Sequence, residues 1–395
     1  MTQPKNSQID THIEKLGTIT DYDYVTWYVS NAKHVAVYFC NRFGFKPFAY
    51  RGPENGSKDI VSHVIKKNDI VMNITCAIRA EASYPPNKSL VKEIHDFVAS
   101  HGDSVKDIAF VVDDVKKIYD KAMAANAIPV HKPKVHKDKY GSVSWATIKA
   151  CGDTSHTLLN RTHYPNTRFL PGYMLIDRPQ PIVDTQFGDS GLIEIDHCVS
   201  NQGWEEMASA CKFYEEALGF HQFWSVDETQ ICTKNTSLKS TVMASSNEKI
   251  KMPVNEPGKG KMKSQIEEFI EYNNGPGFQH LAYRTENIIQ TVEILQNRGV
   301  EFIKTPDRYY QILKKRLAKS KTTISEDLDR LKELNILVDF DERGYLLQLF
   351  TRPLTDRPTF FIEIIQRENH NGFGAGNFLA LFESIERDQI ARGTS

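Results

Sequence analysis

The stretch Gln279-His280-Leu281-Ala282 decides the fold of this chain, because the sequence that follows it repeats the sequence that follows Lys106-Asp107-Ile108-Ala109. The correspondence runs without a gap to a proline in each copy, at Pro133 and at Pro306. Each copy has the pattern of a strand, a helix and a proline-bounded turn. An internal repeat of this kind predicts that duplicated modules make up the fold.

A second pair of matching segments lies upstream of these stretches. Val25-Thr26-Trp27-Tyr28-Val29-Ser30-Asn31 matches Ile195-Asp196-His197-Cys198-Val199-Ser200-Asn201, and a helical pattern that ends at a glycine follows each. A looser match aligns Leu158-Leu159-Asn160-Arg161 with Ile364-Ile365-Gln366-Arg367. The sequence therefore predicts four similar β-α-β modules in an α+β fold. Strands dominate between the helices, which favours mixed and curved sheets over a parallel Rossmann sheet.

The length of 395 residues exceeds that of one typical core, so two domains are expected. Their boundary is predicted near residues 165 to 190, where Pro171, Pro179 and Pro181 interrupt the connecting segment. This gives an N-terminal domain over residues 1–175 and a C-terminal domain over residues 190–395.

Composition narrows the classes of function. The chain is 40% hydrophobic and 25% charged with a net charge of -1, which is typical of an ordered globular protein and gives no field for holding nucleic acid. The basic stretch from Lys314 to Lys321 is interpreted as the solvated face of a helix.

The sequence shows neither a secretion signal nor a window of about 18 apolar residues, so we expect a cytosolic protein without a membrane span. Six scattered cysteines predict reduced thiols.

The two halves differ at three positions where the C-terminal half has residues able to bind a metal. The pairs in the alignment are His197 with Trp27, His280 with Asp107 and, more loosely, Glu363 with Thr157. The duplication therefore predicts that the chemistry is confined to the C-terminal half.

Strand periodicity predicts where these side chains point. His197 shares a face with Ile195 and Val199, and a histidine in such a place is often a plain core residue. The same alternative holds for His280. Glu363 shares a face with Phe361 and Ile365, so its carboxylate is expected to be buried.

A buried carboxylate needs a compensating partner. That partner is either a metal or an arginine such as Arg284 or Arg352. If the two histidines of successive modules meet this carboxylate, two imidazoles and one carboxylate form a facial triad that suits Fe(II) and leaves positions open for substrate and dioxygen. Zinc would accept the same ligands, although the sequence has no His-Glu-x-x-His helix.

At these motifs the chain resembles the 4-hydroxyphenylpyruvate dioxygenases of the vicinal-oxygen-chelate superfamily over nearly its whole length. The resemblance rests on Ile195–Asn201, on Gly277–Ala282 and on the block from Gly344 through Phe361–Arg367 to Gly372-Phe373-Gly374-Ala375-Gly376-Asn377-Phe378. It implies a duplicated fold in which each half is an open barrel of paired βαβββ modules, followed by a C-terminal helix. It also implies one Fe(II) ion per chain, bound by His197, His280 and Glu363.

The resemblance further implies a substrate pocket of neutral polar groups and phenylalanines. The implied polar residues are Ser240, Asn255, Gln265, Gln279 and Gln348. The implied aromatic residues are Phe350, Phe361, Phe373, Phe378 and Phe382. Amides stay neutral in a dry pocket, which suits a keto acid and a phenol. Taken alone, Gln265 is as readily a surface or capping residue, and most of the phenylalanines are as readily plain core.

The activity implied by the resemblance is the conversion of 4-hydroxyphenylpyruvate and dioxygen to homogentisate in tyrosine catabolism. A lid formed by the segment from Asn377 to Glu386 and a homodimer are implied as well. Three alternatives stay open: a hydroxymandelate synthase, which has the same ligands and hydroxylates the benzylic carbon, an extradiol ring-cleaving dioxygenase, and a non-catalytic binding relative.

Overall fold

The structure is a computed structural model that describes residues 17–177, 182–226 and 235–394. The N-terminal half contains nine strands and three α-helices. Its strands are β1 (Ile19–Tyr28), β2 (Lys46–Arg51), β3 (Ile60–Lys67), β4 (Ile70–Ala77), β5 (Ser104–Val112), β6 (Pro129–Asp138), β7 (Gly141–Lys149), β8 (Ser155–His163) and β9 (Met174–Leu175). Its helices are α1 (Ala32–Phe43), α2 (Lys88–His101) and α3 (Val115–Ala124).

The C-terminal half repeats this plan and adds helices. Its strands are β10 (Ile195–Asn201), β11 (His221–Val226), β12 (Ser237–Ala244), β13 (Lys251–Gly258), β14 (Gly277–Arg284), β15 (Leu337–Phe340), β16 (Tyr345–Phe350) and β17 (Phe361–Glu368). The helices are α4 (Ile182–Phe187) in the connection, then α5 (Met207–Leu218), α6 (Gln265–Tyr272), α7 (Ile288–Asn297), α8 (Asp307–Leu317), α9 (Leu328–Glu333) and α10 (Phe378–Arg392).

The strand orders of the two sheets confirm the predicted duplication. The N-terminal sheet has the order β6-β7-β8-β5-β1-β4-β3-β2-β9, and the C-terminal sheet, given from its other edge, has the order β15-β16-β17-β14-β10-β13-β12-β11. The parallel pairs β1–β4 and β5–β8 correspond to β10–β13 and β14–β17, and the other pairs are antiparallel. The predicted fold class, with mixed sheets in two duplicated halves and a C-terminal helix, is therefore correct.

The alignment of Trp27 with His197 is wrong. His197 pairs with Ala282 across the sheet, and Ala109, the repeat equivalent of Ala282, pairs with Tyr24. Tyr24 is thus the structural counterpart of His197, three residues from the predicted one. Tyr24 and His197 are as far apart in the chain as Ala109 and Ala282, so the ungapped repeat extends back into β1 and β10. Because side chains alternate along a strand, a difference of three residues places Trp27 on the face of the sheet opposite to that of Tyr24.

The ring of Trp27 lies on that opposite face and packs between the two halves. It makes edge-to-face contacts with Phe39, at 5.7 Å between ring centroids, and with Phe360 of the C-terminal half, at 4.5 Å. Tyr22 donates a hydrogen bond from its hydroxyl to the carbonyl of Lys251 at 2.7 Å. One buried hydrophobic cluster contains residues of both halves, so the halves share a core.

Two smaller expectations, the glycine ends of helices and the basic helix face, are also met. Helices α1 and α5 end at Gly44 and Gly219, which have the left-handed φ values of 76° and 74° that glycine adopts at a helix end. The basic segment forms the end of α8, whose Leu313 is buried while Lys314 and Lys315 are exposed. No helix among the described residues is long and apolar enough to cross a membrane. The five described cysteines are free, and Cys232 lies outside the described residues.

Candidate metal centre

Three neighbouring strands bring the predicted ligands together inside the C-terminal sheet. β14 lies between β10 and β17, and these strands carry His280, His197 and Glu363. The three ligand atoms lie within 4.8 Å of one another, and all three residues are buried. The Nε2 atoms of His197 and His280 lie 3.1 Å and 3.3 Å from Oε2 of Glu363. Two imidazoles and one carboxylate therefore converge on one point.

The remaining nitrogen of each imidazole faces a hydrogen-bond acceptor. Nδ1 of His197 lies 2.7 Å from Oδ1 of Asp196, and Nδ1 of His280 lies 3.1 Å from Oε1 of Gln279. An acceptor at Nδ1 fixes the proton there and leaves the lone pair of Nε2 directed at the centre. This is the tautomer that a metal ligand requires, so the geometry fits a metal ion.

Asp196 is itself held by Arg367. The Nε and Nη2 atoms of Arg367 donate to the two carboxylate oxygens of Asp196, each at 2.8 Å. Burial raises the pKa of Asp196, but the charge and hydrogen bonds of Arg367 outweigh burial and hold this pKa well below its usual range. Asp196 is therefore an anion that orients His197.

The electrostatics of the three candidate ligands are those of an ionised carboxylate between imidazoles. Burial raises the pKa of Glu363, but attraction to His197 and the polar contacts with both imidazoles outweigh burial and lower this pKa to about 2. Burial lowers the pKa of His197, whereas Glu363 and Asp196 raise it, with a net upward shift. At His280 burial dominates and the pKa is lowered.

The alternative partners for Glu363 are engaged elsewhere. Arg284 bonds Glu194 at 2.6 Å, and Arg352 lies 3.7 Å from Asp388. Neither arginine therefore supplies the compensating charge, and the ion-pair interpretation of Glu363 is wrong.

A cavity opens beside the three ligands. Eight of the ten residues expected in the substrate pocket line it: Ser240, Asn255, Gln265, Gln279, Phe350, Phe361, Phe373 and Phe382. Gln265, the first residue of α6, is among them although it could have been a surface residue. The side chain of Phe378 lies outside the described part of the structure.

Three phenylalanine rings surround the imidazoles. Phe361 stacks on His280 with ring centroids 4.7 Å apart, and Phe350 meets the edge of the same imidazole at 6.1 Å. Phe373 makes an edge-to-face contact with His197 at 5.2 Å. These rings hold the imidazoles in place and give the cavity an apolar wall.

Gln348 lies behind the cavity wall rather than in it. It is buried, and its Oε1 atom has no hydrogen-bond partner among the described residues. Gly374 packs directly against it, since a Cβ atom there would lie 2.1 Å from Oε1 of Gln348. The glycine-rich segment before α10 thus approaches β16 as closely as its backbone allows.

Helix α10 covers the cavity with Leu381 and Phe382. It is attached farther along by Glu386, which accepts a hydrogen bond of 2.6 Å from the hydroxyl of Thr236. The terminal turn is held by Arg392, whose Nη2 atom donates to Glu268 of α6 at 2.8 Å.

Some cavity residues were missed by the sequence reasoning. They are Val199, Trp224, Leu238, Pro253 and Leu381. Val199 could have been found, because it lies two residues from His197 on the same strand face. Trp224 could not, since it belongs to the edge strand β11, whose sequence does not predict which elements face it.

Comparisons with known proteins agree with this fold and this site. Residues 194–349 match the model of the Glyoxalase/Bleomycin resistance protein/Dioxygenase superfamily. A 4-hydroxyphenylpyruvate dioxygenase from Yarrowia lipolytica is 51% identical over 378 residues, which cover 96% of this chain and 94% of that protein. One from Aspergillus fumigatus is 50% identical over 382 residues, with 96% and 94% covered.

A solved structure supports the same fold over both halves. A variant of 4-hydroxymandelate synthase from Streptomyces coelicolor superposes with a TM-score of 0.78 at 30% identity, with 94% of this chain and 99% of that chain covered. The duplicated fold and the buried two-histidine, one-carboxylate site define an enzyme of the vicinal-oxygen-chelate type. At about half identity over nearly its full length, the chain belongs to the 4-hydroxyphenylpyruvate dioxygenase family.

Proposed function

We propose that this enzyme converts 4-hydroxyphenylpyruvate and dioxygen into homogentisate and carbon dioxide, using one Fe(II) ion held by His197, His280 and Glu363. The observation that carries the proposal is the convergence of these three ligand atoms within 4.8 Å in a buried pocket. The reaction balances, because one oxygen atom enters the new carboxylate and the other becomes the ring hydroxyl.

When bound, Fe(II) would supply a site for chelating the keto acid and for activating dioxygen. Asp196 and Gln279 keep the proton of each imidazole on Nδ1, so that both Nε2 atoms can act as ligands. Glu363 remains ionised and contributes negative charge, which favours a divalent cation over neutral occupants.

The pocket residues would bind the organic substrate at both ends. Gln279 lies beside the metal position, where its amide can donate to a carboxylate. Ser240, Asn255 and Gln265 line the same cavity and offer neutral donors and acceptors for a phenol. Phe350 and Phe361 would pack against the ring and limit its movement.

Phe373, Leu381 and Phe382 would exclude water during the reaction. They border the cavity on the side of the glycine-rich segment and α10, so movement of this segment would open and close it. Exclusion of water protects reactive intermediates from side reactions. We assign the lid role to residues 377–386 on this basis.

The division of labour between the halves is part of the same proposal. We assign residues 190–395 as the catalytic domain and residues 1–175 as the domain without a metal. A cytosolic location and a homodimer remain predictions, which cell fractionation and sedimentation can check.

Anaerobic reconstitution with Fe(II), followed by addition of 4-hydroxyphenylpyruvate and dioxygen, tests the function. Homogentisate with equimolar carbon dioxide is the expected result. Formation of 4-hydroxymandelate instead would assign benzylic hydroxylation, and tight substrate binding without turnover would contradict an enzymatic role. Reconstitution with Zn(II) is the matched control and should give no product, since zinc has no redox chemistry.

A further inference from the structure

The N-terminal half contains an open cavity of about 1260 Å³, which we call the N-terminal cavity. Strands β4, β1, β5 and β8 run side by side beneath it, in the places that β13, β10, β14 and β17 have at the metal centre. Thr26 is the register partner of Asn73 on one side and of Asp107 on the other. The duplication has therefore kept a second concave site of the same architecture.

This site is not a metal centre. The counterparts of His197, His280 and Glu363 are Tyr24, Asp107 and Thr157. Among the described residues, no group of three metal-ligating side chains forms here. Its chemistry must be sought in other polar groups.

Two acceptor atoms remain open in the N-terminal cavity, and the one that belongs to Asn73 is itself a buried atom. Ser155 and Thr157 both donate to Oδ1 of Asp107, at 2.6 Å and 3.0 Å, and Oδ2 receives no hydrogen bond from the described residues. Asn73 is 7% exposed and donates through Nδ2 to Thr26, at 3.3 Å, while its Oδ1 has no partner among the described residues. Both residues line the cavity. Such acceptors cost free energy unless something donates to them.

The charge of Asp107 also lacks a direct counter-ion. Arg51 and Lys106 also line the cavity, but neither of these two described residues forms an ion pair with Asp107, and Nζ of Lys106 bonds Glu93 at 2.9 Å and the carbonyl of Asp153 at 2.6 Å. Burial raises the pKa of Asp107 to about 6, against the lowering effect of Ser155, Thr157 and Lys106. At neutral pH the carboxylate is thus mostly charged and poorly compensated. A ligand with both N–H donors and positive charge would satisfy it.

The walls suit such a ligand. Tyr24, Tyr28 and Trp145 line the N-terminal cavity, and aromatic faces attract cations. Two of these rings already contact a lysine ammonium within the protein. Nζ of Lys106 lies 5.6 Å from the ring centroid of Tyr28, and Nζ of Lys134 lies 5.8 Å from that of Trp145. We propose that the N-terminal cavity binds a small organic ammonium ion, which donates to Asp107 and Asn73 and packs its carbon skeleton against the aromatic wall.

Calorimetric titration of the holoenzyme with primary amines tests this site. The probes are ethanolamine, benzylamine and 2-phenylethylamine, and 2-phenylethanol and phenylacetate serve as neutral and anionic analogues. We expect at least one amine to bind at least tenfold more tightly than 2-phenylethanol, and phenylacetate not to bind. Equal binding of the amine and the alcohol would contradict recognition of charge, and failure of all three amines to bind would overturn the proposal.

Variants locate the binding. Asp107→Asn should remove the tenfold preference for the amine while leaving dioxygenase turnover unchanged, which also shows that the variant is folded. Asp103→Asn is the matched control, because Asp103 bonds the backbone of Ser30 at 2.6 Å and does not line the cavity. Glu363→Gln, at the metal centre, should leave amine binding intact. Loss of amine binding in Glu363→Gln but not in Asp107→Asn would place the amine in the other half and overturn the proposal.

Discussion

Arg367 donates to both carboxylate oxygens of Asp196, each at 2.8 Å, and thereby fixes the acceptor that orients His197. The same guanidinium donates through Nη1 to the carbonyl of Gly372 at 2.6 Å and lies 5.3 Å from the ring centroid of Phe373. One arginine therefore joins a candidate metal ligand to the segment that leads into the lid.

Replacement of Asp196 by asparagine should weaken Fe(II) binding about 10- to 100-fold, which is typical for loss of the partner that orients a histidine ligand. The variant would leave Arg367 without its counter-ion and allow His197 the wrong tautomer. Competition with a chelator measures the affinity. Arg284→Gln breaks a partly exposed ion pair and is the control, and an equal loss of affinity there would contradict an orienting role.

Glu363→Ala should abolish Fe(II) binding or turnover while leaving the protein folded. The substitution removes the carboxylate shared by both imidazoles, and none of the arginines that the structure describes forms a salt bridge with it. Metal content after reconstitution and circular dichroism provide the two measurements. Full activity in this variant would remove Glu363 from the site.

Gly374→Ala should lower kcat/KM by tenfold or more, because the new methyl group would displace Gln348 and push the segment before α10 away from the cavity. Gly172→Ala is a matched control, since Gly172 also has a positive φ, 86° against 77°, but nothing lies within 4 Å of its Cβ position. Both variants carry a backbone cost of about 1 kcal/mol. Comparable activity losses in the two would show that backbone strain, not the contact with Gln348, is responsible.

The stabilising effect of Asp107→Asn should grow as the pH rises from about 4 to about 6 and level off near pH 7. The folded-state pKa of about 6 exceeds the ordinary aspartate value of 3.8, so the wild type loses stability as the pH rises between these values. The loss amounts to at most about 3 kcal/mol above pH 6, and the variant avoids it. Thermal melting of both proteins in the absence of amines measures the difference in Tm. A difference that does not change with pH would show that Asp107 is already compensated.

The sequence predicted the duplicated modules and the three residues, His197, His280 and Glu363, that the structure brings together in one half. His280 and Asp107 could be aligned because no insertion separates their repeats. Trp27 was misplaced because the match of the local motif, residues 25–31 with residues 195–201, differs by three residues from the offset that relates Asp107 to His280. Periodicity likewise assigned Glu363 to a buried face, but only the pairing of Arg284 and Arg352 with other acids excludes an ion pair.

Other features of the two cavities could be recognised only in the folded structure. Trp224 enters the cavity from an edge strand, and Asn73 faces the second cavity from β4, and neither has a local signal of its function. The contact of Gly374 with Gln348 joins residues from separate elements. Such contacts depend on how the sheets curve, which a pattern along the chain does not specify.

The edge-to-face contact of Trp27 with Phe360 has an evolutionary consequence. Phe360 directly precedes β17, the strand that carries Glu363, so the half without ligands supports the strand that holds one of them. A descendant that lost the N-terminal half would expose Phe360 and withdraw packing from the strand that carries Glu363. The two halves are therefore expected to be inherited as one unit.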